Sequence, residues 1–96
     1  METFHKKLYL FLKEERTKAN IPKDVAWEFN LSKEEKELII GPIEDSGGSE
    51  QNYIYAIYPW EDEVYALTED GWDIPLQLTL SPSTVQKLYT SILNRI

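Results

Sequence analysis

At 96 residues and 42% hydrophobic content, the chain carries enough apolar material for a single domain, 1–96, with one core of modest thickness. It has no cysteine, which excludes disulfides and thiolate metal ligands and makes a cytoplasmic setting the expectation. Its net charge of −7 hides a division: residues 1–36 and 87–96 together total +3, whereas 37–86 hold ten acids and no Lys or Arg. That distribution disfavours nucleic-acid binding, because phosphate contacts need Lys and Arg, and favours a basic protein partner.

The opening "METFHKKLYLFLKEERTKAN" contains a short apolar run, but charges interrupt it and no small-residue cleavage site follows. It reads as a helix rather than a signal peptide, and no stretch reaches membrane-spanning length. Thr3 can cap this helix, and Phe4, Leu8, Phe11 and Leu12 fall at i, i+4, i+7 and i+8 along one stripe. The helix should stop near Ala19, because Asn20 accepts the left-handed conformation and Pro22 cannot continue a helix.

Strand sequence follows. "VAWEF" places Val25, Trp27 and Phe29 on one side, and "LIIGPI" is a β-branched run punctuated by Gly41-Pro42. The intervening "LSKEEKEL" reads in two ways. Ser32 with Glu35 matches a capping box and would start a short helix over 32–38, but a charged turn between two strands suits the flanks better. "EDSGGSEQ" is a loop by its Gly and Ser content.

The stretch "YIYAIYPWEDEVYALTEDGW" sets many rings beside many carboxylates. Asp70-Gly71 signals a two-residue hairpin turn, which would set Leu67 opposite Ile74 and Tyr65 opposite Leu76. One face would then carry Tyr65, Leu67, Trp72, Ile74 and Leu76, continued by Leu78 and Leu80, and helices should cover it. Pro75, with no N–H to donate, marks strand 72–80 as a sheet edge. For the preceding turn, a four-residue loop "WEDE" pairs Pro59 with Val64 and places Ile54, Ala56 and Tyr58 in the core, with Tyr58 stacked on Tyr65. A three-residue loop at 61–63 exchanges the two sets. In the first and preferred register, Tyr53, Tyr55, Ile57 and Val64, with Ala66, form an apolar patch away from the helices, a surface for a partner or a two-fold homodimer. The alternative has one helix on each face and every ring in the core.

The last helix has the clearest start. Ser81 is an N-cap, Pro82 fits the first helical position, and Val85, Leu88, Tyr89, Ile92, Leu93 and Ile96 repeat at helical spacing. The fold class is therefore α+β: an N-terminal helix, an antiparallel meander of four to five strands and a C-terminal helix, with the helices on one face of the sheet.

Following the strand directions gathers Glu44, Asp45, Glu50, Glu69, Asp70 and Asp73 at one end of the sheet. Such a cluster reads as solvated turns, as an acidic surface for a basic partner, or as a Ca²⁺ or Mg²⁺ site; its spacing matches no EF-hand loop, so no metal is assigned. For catalysis there is one histidine, His5, with no cysteine, no Gly-rich phosphate loop and no G-x-S-x-G, so neither a catalytic residue nor a cofactor is expected. These readings converge on a small acidic, non-enzymatic interaction domain acting on a basic partner, of the inhibitor, immunity, antitoxin-like or nucleic-acid-mimic kind. The alternative is a ligand-binding module for a sugar or divalent cation using Trp60 and its neighbouring acids.

Overall fold

The computed structural model describes residues 3–45, 54–69 and 71–95, with side chains except those of 40–45 and 79. The elements run α1 (Phe4–Lys18), β1 (Phe29–Asn30), α2 (Lys33–Asp45), β2 (Ile54–Trp60), β3 (Glu63–Thr68), β4 (Asp73–Pro75), α3 (Leu76–Thr79) and α4 (Pro82–Arg95). The four strands form one antiparallel sheet in the order β1-β2-β3-β4, which is the expected α+β meander between terminal helices.

Local chemistry sets the ends of both terminal helices. Thr3 Oγ1 accepts the Lys6 N–H at 3.2 Å. At the other end of α1, Asn20 takes φ 60, and the N–H groups of Asn20 and Ile21 reach the carbonyls of Thr17 and Arg16 at 3.0 and 3.2 Å, closing a Schellman cap. Ser81 Oγ accepts the Thr84 N–H at 3.3 Å to start α4. The stripes Leu8/Leu12 and Val85/Leu88/Ile92 are buried as α1 and α4 pack on each other, and Phe4 and Phe11 lie 6.1 and 6.3 Å from the Tyr89 ring. Tyr9, outside the expected stripe, is buried with them.

The run "LIIGPI" is not a strand. Residues 33–45 are helical, so the capping box decides the segment: Glu35 Oε1 accepts the Ser32 N–H at 2.8 Å, and Ser32 Oγ accepts the Glu35 N–H at 3.2 Å. Tertiary contacts add to it. Ile39 lies one turn after Glu35 and is fully buried, and α2 packs against α4. Glu35, also fully buried, takes two hydrogen bonds from Arg95, Nε to Oε2 and Nη2 to Oε1, both at 3.1 Å. Arg95 Nη2 also donates to the Asn30 carbonyl at 3.0 Å, and its guanidinium lies 4.7 Å over the Phe29 ring. One arginine in the last turn of α4 thus ties β1 and α2 together. The expected strand over 25–29 shrinks to Phe29–Asn30, which pairs with Ile57 and Ala56; a turn closed by Val25 N–H to the Pro22 carbonyl (3.1 Å) precedes it.

The first hairpin has the expected register. Pro59 pairs with Val64, Tyr58 with Tyr65 and Ile57 with Ala66, and the pairing extends to Trp60 and Glu63, so the turn is Glu61–Asp62, both at positive φ. Ile54 and Ala56 are buried and Tyr55 lies outside the core, as expected, but from Ile57 onward the faces are the reverse of those expected. Ile57, Val64 and Ala66 are buried against the helices, whereas Tyr58, Tyr65 and Leu67 are half-buried on the other side. Ile57 and Val64 therefore belong to the core and form no partner or dimer patch. Compact aliphatic side chains fill the thin space between sheet and helices, while tyrosine rings can keep their hydroxyls in water.

The second hairpin is shifted by one residue. Thr68 N–H bonds the Trp72 carbonyl at 3.0 Å, Gly71 N–H bonds the Thr68 carbonyl at 3.0 Å, and Leu67 pairs with Asp73, which makes a three-residue loop with Gly71 at φ 92. Glycine accepts that conformation without a Cβ clash. A one-residue shift exchanges the faces of the whole strand. Ile74 moves opposite Ala66 and Asp73 moves to the tyrosine side. Pro75 keeps β4 an edge strand, but the strand stops there: Leu76–Thr79 form one helical turn that buries Leu76 and leaves Leu78 exposed, while Trp72 is 65% exposed rather than core.

A tyrosine and carboxylate cleft on the open face of the sheet

The helices α1 and α2 contact the sheet and α4 packs on both of them, while among the described residues the 23–28 segment lies across from the tyrosine side of the sheet. Between them lies a cleft of about 610 Å³, walled by Trp27, Tyr55, Tyr58, Trp60 and Leu67, with Asp24, Glu28 and Asp73 as its carboxylates and Arg16 and Lys23 as its cations. Its volume falls within the range of ligand-binding sites.

A β-bulge sets the spacing of the tyrosines. Ile54 pairs with Thr68 and Ala56 with Leu67, so Tyr55 is the extra residue. The bulge breaks the strict alternation of β2, so that Ile54 and Ile57, three apart, both reach the core, and Tyr55 and Tyr58, also three apart, both reach the cleft. Tyr58 stacks on Tyr65 across the strands, centroids 5.6 Å apart and planes 19° off parallel. Trp27 is held by Phe29, 6.5 Å away, which Arg95 covers on its own account.

Each phenol is matched with a carboxylate. Glu28 acts on Tyr55, Asp73 on Tyr58 and Glu63 on Tyr65. All three phenols titrate above their ordinary range. For Tyr55 the cause is partial burial, then the charges of Glu28 and Asp73; for Tyr58 it is burial, then Asp73 and Tyr65; for Tyr65 it is burial, then Glu63 and Glu61. The phenols thus stay neutral at ordinary pH beside these acids.

The residues singled out from sequence are distributed differently. Tyr55 lies on the side away from the helices, without Ile57 and Val64 as neighbours on that face. Of the acidic group, Asp73 sits at the cleft and Glu69 is exposed at the second turn; Glu44 and Asp45 end α2, with their side chains outside what is described. Glu50, Asp70 and Tyr53 lie outside the described residues. Tyr58, Tyr65, Trp27 and Glu28 were missed as site residues. The Tyr58–Tyr65 pair was legible in the register, whereas no local signal marks Glu28. His5 does not line the cleft; burial lowers its pKa, and its Nε2 has no hydrogen-bond partner among the described residues. Among the described residues, no group of three or more His, Asp or Glu side chains is arranged to hold a metal ion, and no helix is long and apolar enough to cross a membrane. Comparison of the chain with protein-family models, with curated proteins and with solved structures found no match.

Proposed function

We propose that the protein is a non-enzymatic binding domain that holds a basic protein partner on the open face of its sheet, in the manner of an inhibitor or immunity protein. The observation that carries this reading is the cleft on that face, where Tyr55, Tyr58, Trp27 and Trp60 stand among the carboxylates Asp24, Glu28 and Asp73 and Tyr58 stacks on Tyr65. Such a surface offers flat apolar area and negative charge together, the combination that suits a cationic chain. The absence of Lys and Arg from 37–86 supports it by extending the same sign of charge around the hairpin tip, Glu61 to Glu63. Phenols shifted upward are poorer acids at neutral pH and so are less suited to proton transfer.

The test is affinity capture with the tagged protein across a salt series, comparing wild type with Trp60→Ala and Tyr58→Ala. A basic partner should be released by about 0.5 M salt, where screening shortens the reach of surface charge, and should be lost in both variants. A partner retained by both variants would remove the open face from the interface. A second reading, a sugar-binding module, is favoured by Trp27 and Trp60 in the same cleft. In that case a neutral oligosaccharide should bind equally at low and high salt.

A further inference from the structure

Rings and acids line the same cleft: Tyr55 and Tyr58 with Glu28 and Asp73, beside Trp27 and Trp60. Arginine suits that arrangement better than lysine. Its planar guanidinium stacks on a ring while its N–H fork meets a carboxylate, whereas an ammonium is a compact and strongly hydrated point charge. The molecule already contains one instance of this chemistry, since Arg95 lies over Phe29 and forks onto Glu35.

Glu28 and Asp73 are also available for it. The ion pairs among the described residues are Lys18–Glu14 and Arg95–Glu35, so Arg16 and Lys23, though they line the cleft, are not bridged to either acid. An ionised carboxylate offers roughly four acceptor positions, which leaves room for a fork. The cleft volume of about 610 Å³ exceeds one guanidinium, so residues flanking the arginine enter with it.

We infer that the cleft recognises an arginine side chain of a basic partner, its guanidinium stacked against the aromatic wall and hydrogen-bonded to Glu28 or Asp73. This rests on the binding-domain reading above. Fluorescence anisotropy with three labelled peptides tests it: an arginine-glycine repeat, the matching lysine-glycine repeat and a neutral glycine-serine repeat. The arginine peptide should bind at least about tenfold more tightly than the lysine peptide, and the neutral peptide should not bind. The Glu28→Gln/Asp73→Asn double variant should lose at least about tenfold in affinity for the arginine peptide, and each single variant at least about threefold, which covers misfolding of the double variant. Glu34→Gln, an exposed acid on α2, is the charge control and should change affinity by less than about twofold. Equal binding of arginine and lysine peptides, or full binding by the Glu28/Asp73 variants, would overturn the arginine site while leaving a basic partner docked elsewhere on the acidic surface. Failure of both cationic peptides to bind wild type would instead overturn the basic-partner reading, and the arginine site with it.

Discussion

Ile57 and Tyr58 are neighbours in β2, yet they face different environments. Ile57 is fully buried under the helices, in contact with the cluster built from Leu8, Leu12, Val85, Leu88 and Ile92. Tyr58 lines the cleft with Asp73 and stacks on Tyr65. One face of the sheet is dry, aliphatic and closed; the other is wet, aromatic and acidic. The contrast assigns stability to the first and recognition to the second, because aliphatic burial is non-directional whereas ring and carboxylate pairs are geometrically selective.

Several substitutions can break or sharpen that contrast. Ile57→Ala should have the largest effect, about 2–5 kcal/mol of lost stability in urea titrations, since it opens a cavity in the closed face. Arg95→Ala should follow at about 2–3 kcal/mol, because it leaves Glu35 buried without its guanidinium; Glu35→Leu with Arg95→Leu should recover much of that loss. Tyr58→Leu should cost only about 0.5–1.5 kcal/mol, the worth of an aromatic pair, while sharply weakening partner binding. A Tyr58→Leu loss as large as that of Ile57→Ala would erase the division between the two faces.

Titration supplies the smallest effects. Burial and Asp73 raise the Tyr58 pKa, so its contribution to stability is complete below the ordinary phenol value of about 10 and is lost as pH rises through the folded-state value. Phenolate absorbance should therefore rise for Tyr58 at higher pH than in the unfolded chain, and Asp73→Asn should bring the two closer. On the closed side, burial lowers the His5 pKa. Its contribution is full above the ordinary value of about 6.5 and is lost as pH falls from there through the folded-state value. His5→Gln should flatten that part of the stability profile in thermal melts.

Much of the architecture is legible in particular residues. Thr3, Asn20 and Ser81-Pro82 mark helix ends because their preferred backbone conformations and hydrogen bonds act within a few residues. Ser32 and Glu35 carry the same information for α2, but the β-branched run after them argues for a strand at the same strength, and buried contacts decide between the two. The Pro59–Val64 register was also readable, since a positive-φ turn at Glu61–Asp62 lies within one hairpin. The second turn was ambiguous, because "TEDG" supplies a glycine equally well to a two-residue or a three-residue loop.

The candidate site was less legible than the fold. Its rings were visible as a group, but Glu28 and Trp27 come from a segment nearly thirty positions away from Tyr55, and the bulge at Tyr55 leaves no mark in the residue pattern. By itself, the sequence determined the helix ends, the first hairpin register, the edge position of Pro75 and the separation of acidic and basic segments, all of which rest on short-range backbone preference or on plain counting. Tertiary structure decided which face of the sheet is core, the register of β4 and the union of Glu28, Tyr55, Tyr58 and Asp73. A tyrosine satisfies a half-buried face on either side of a sheet, so only the volume available beneath the helices selects the aliphatic set and leaves the tyrosines outside.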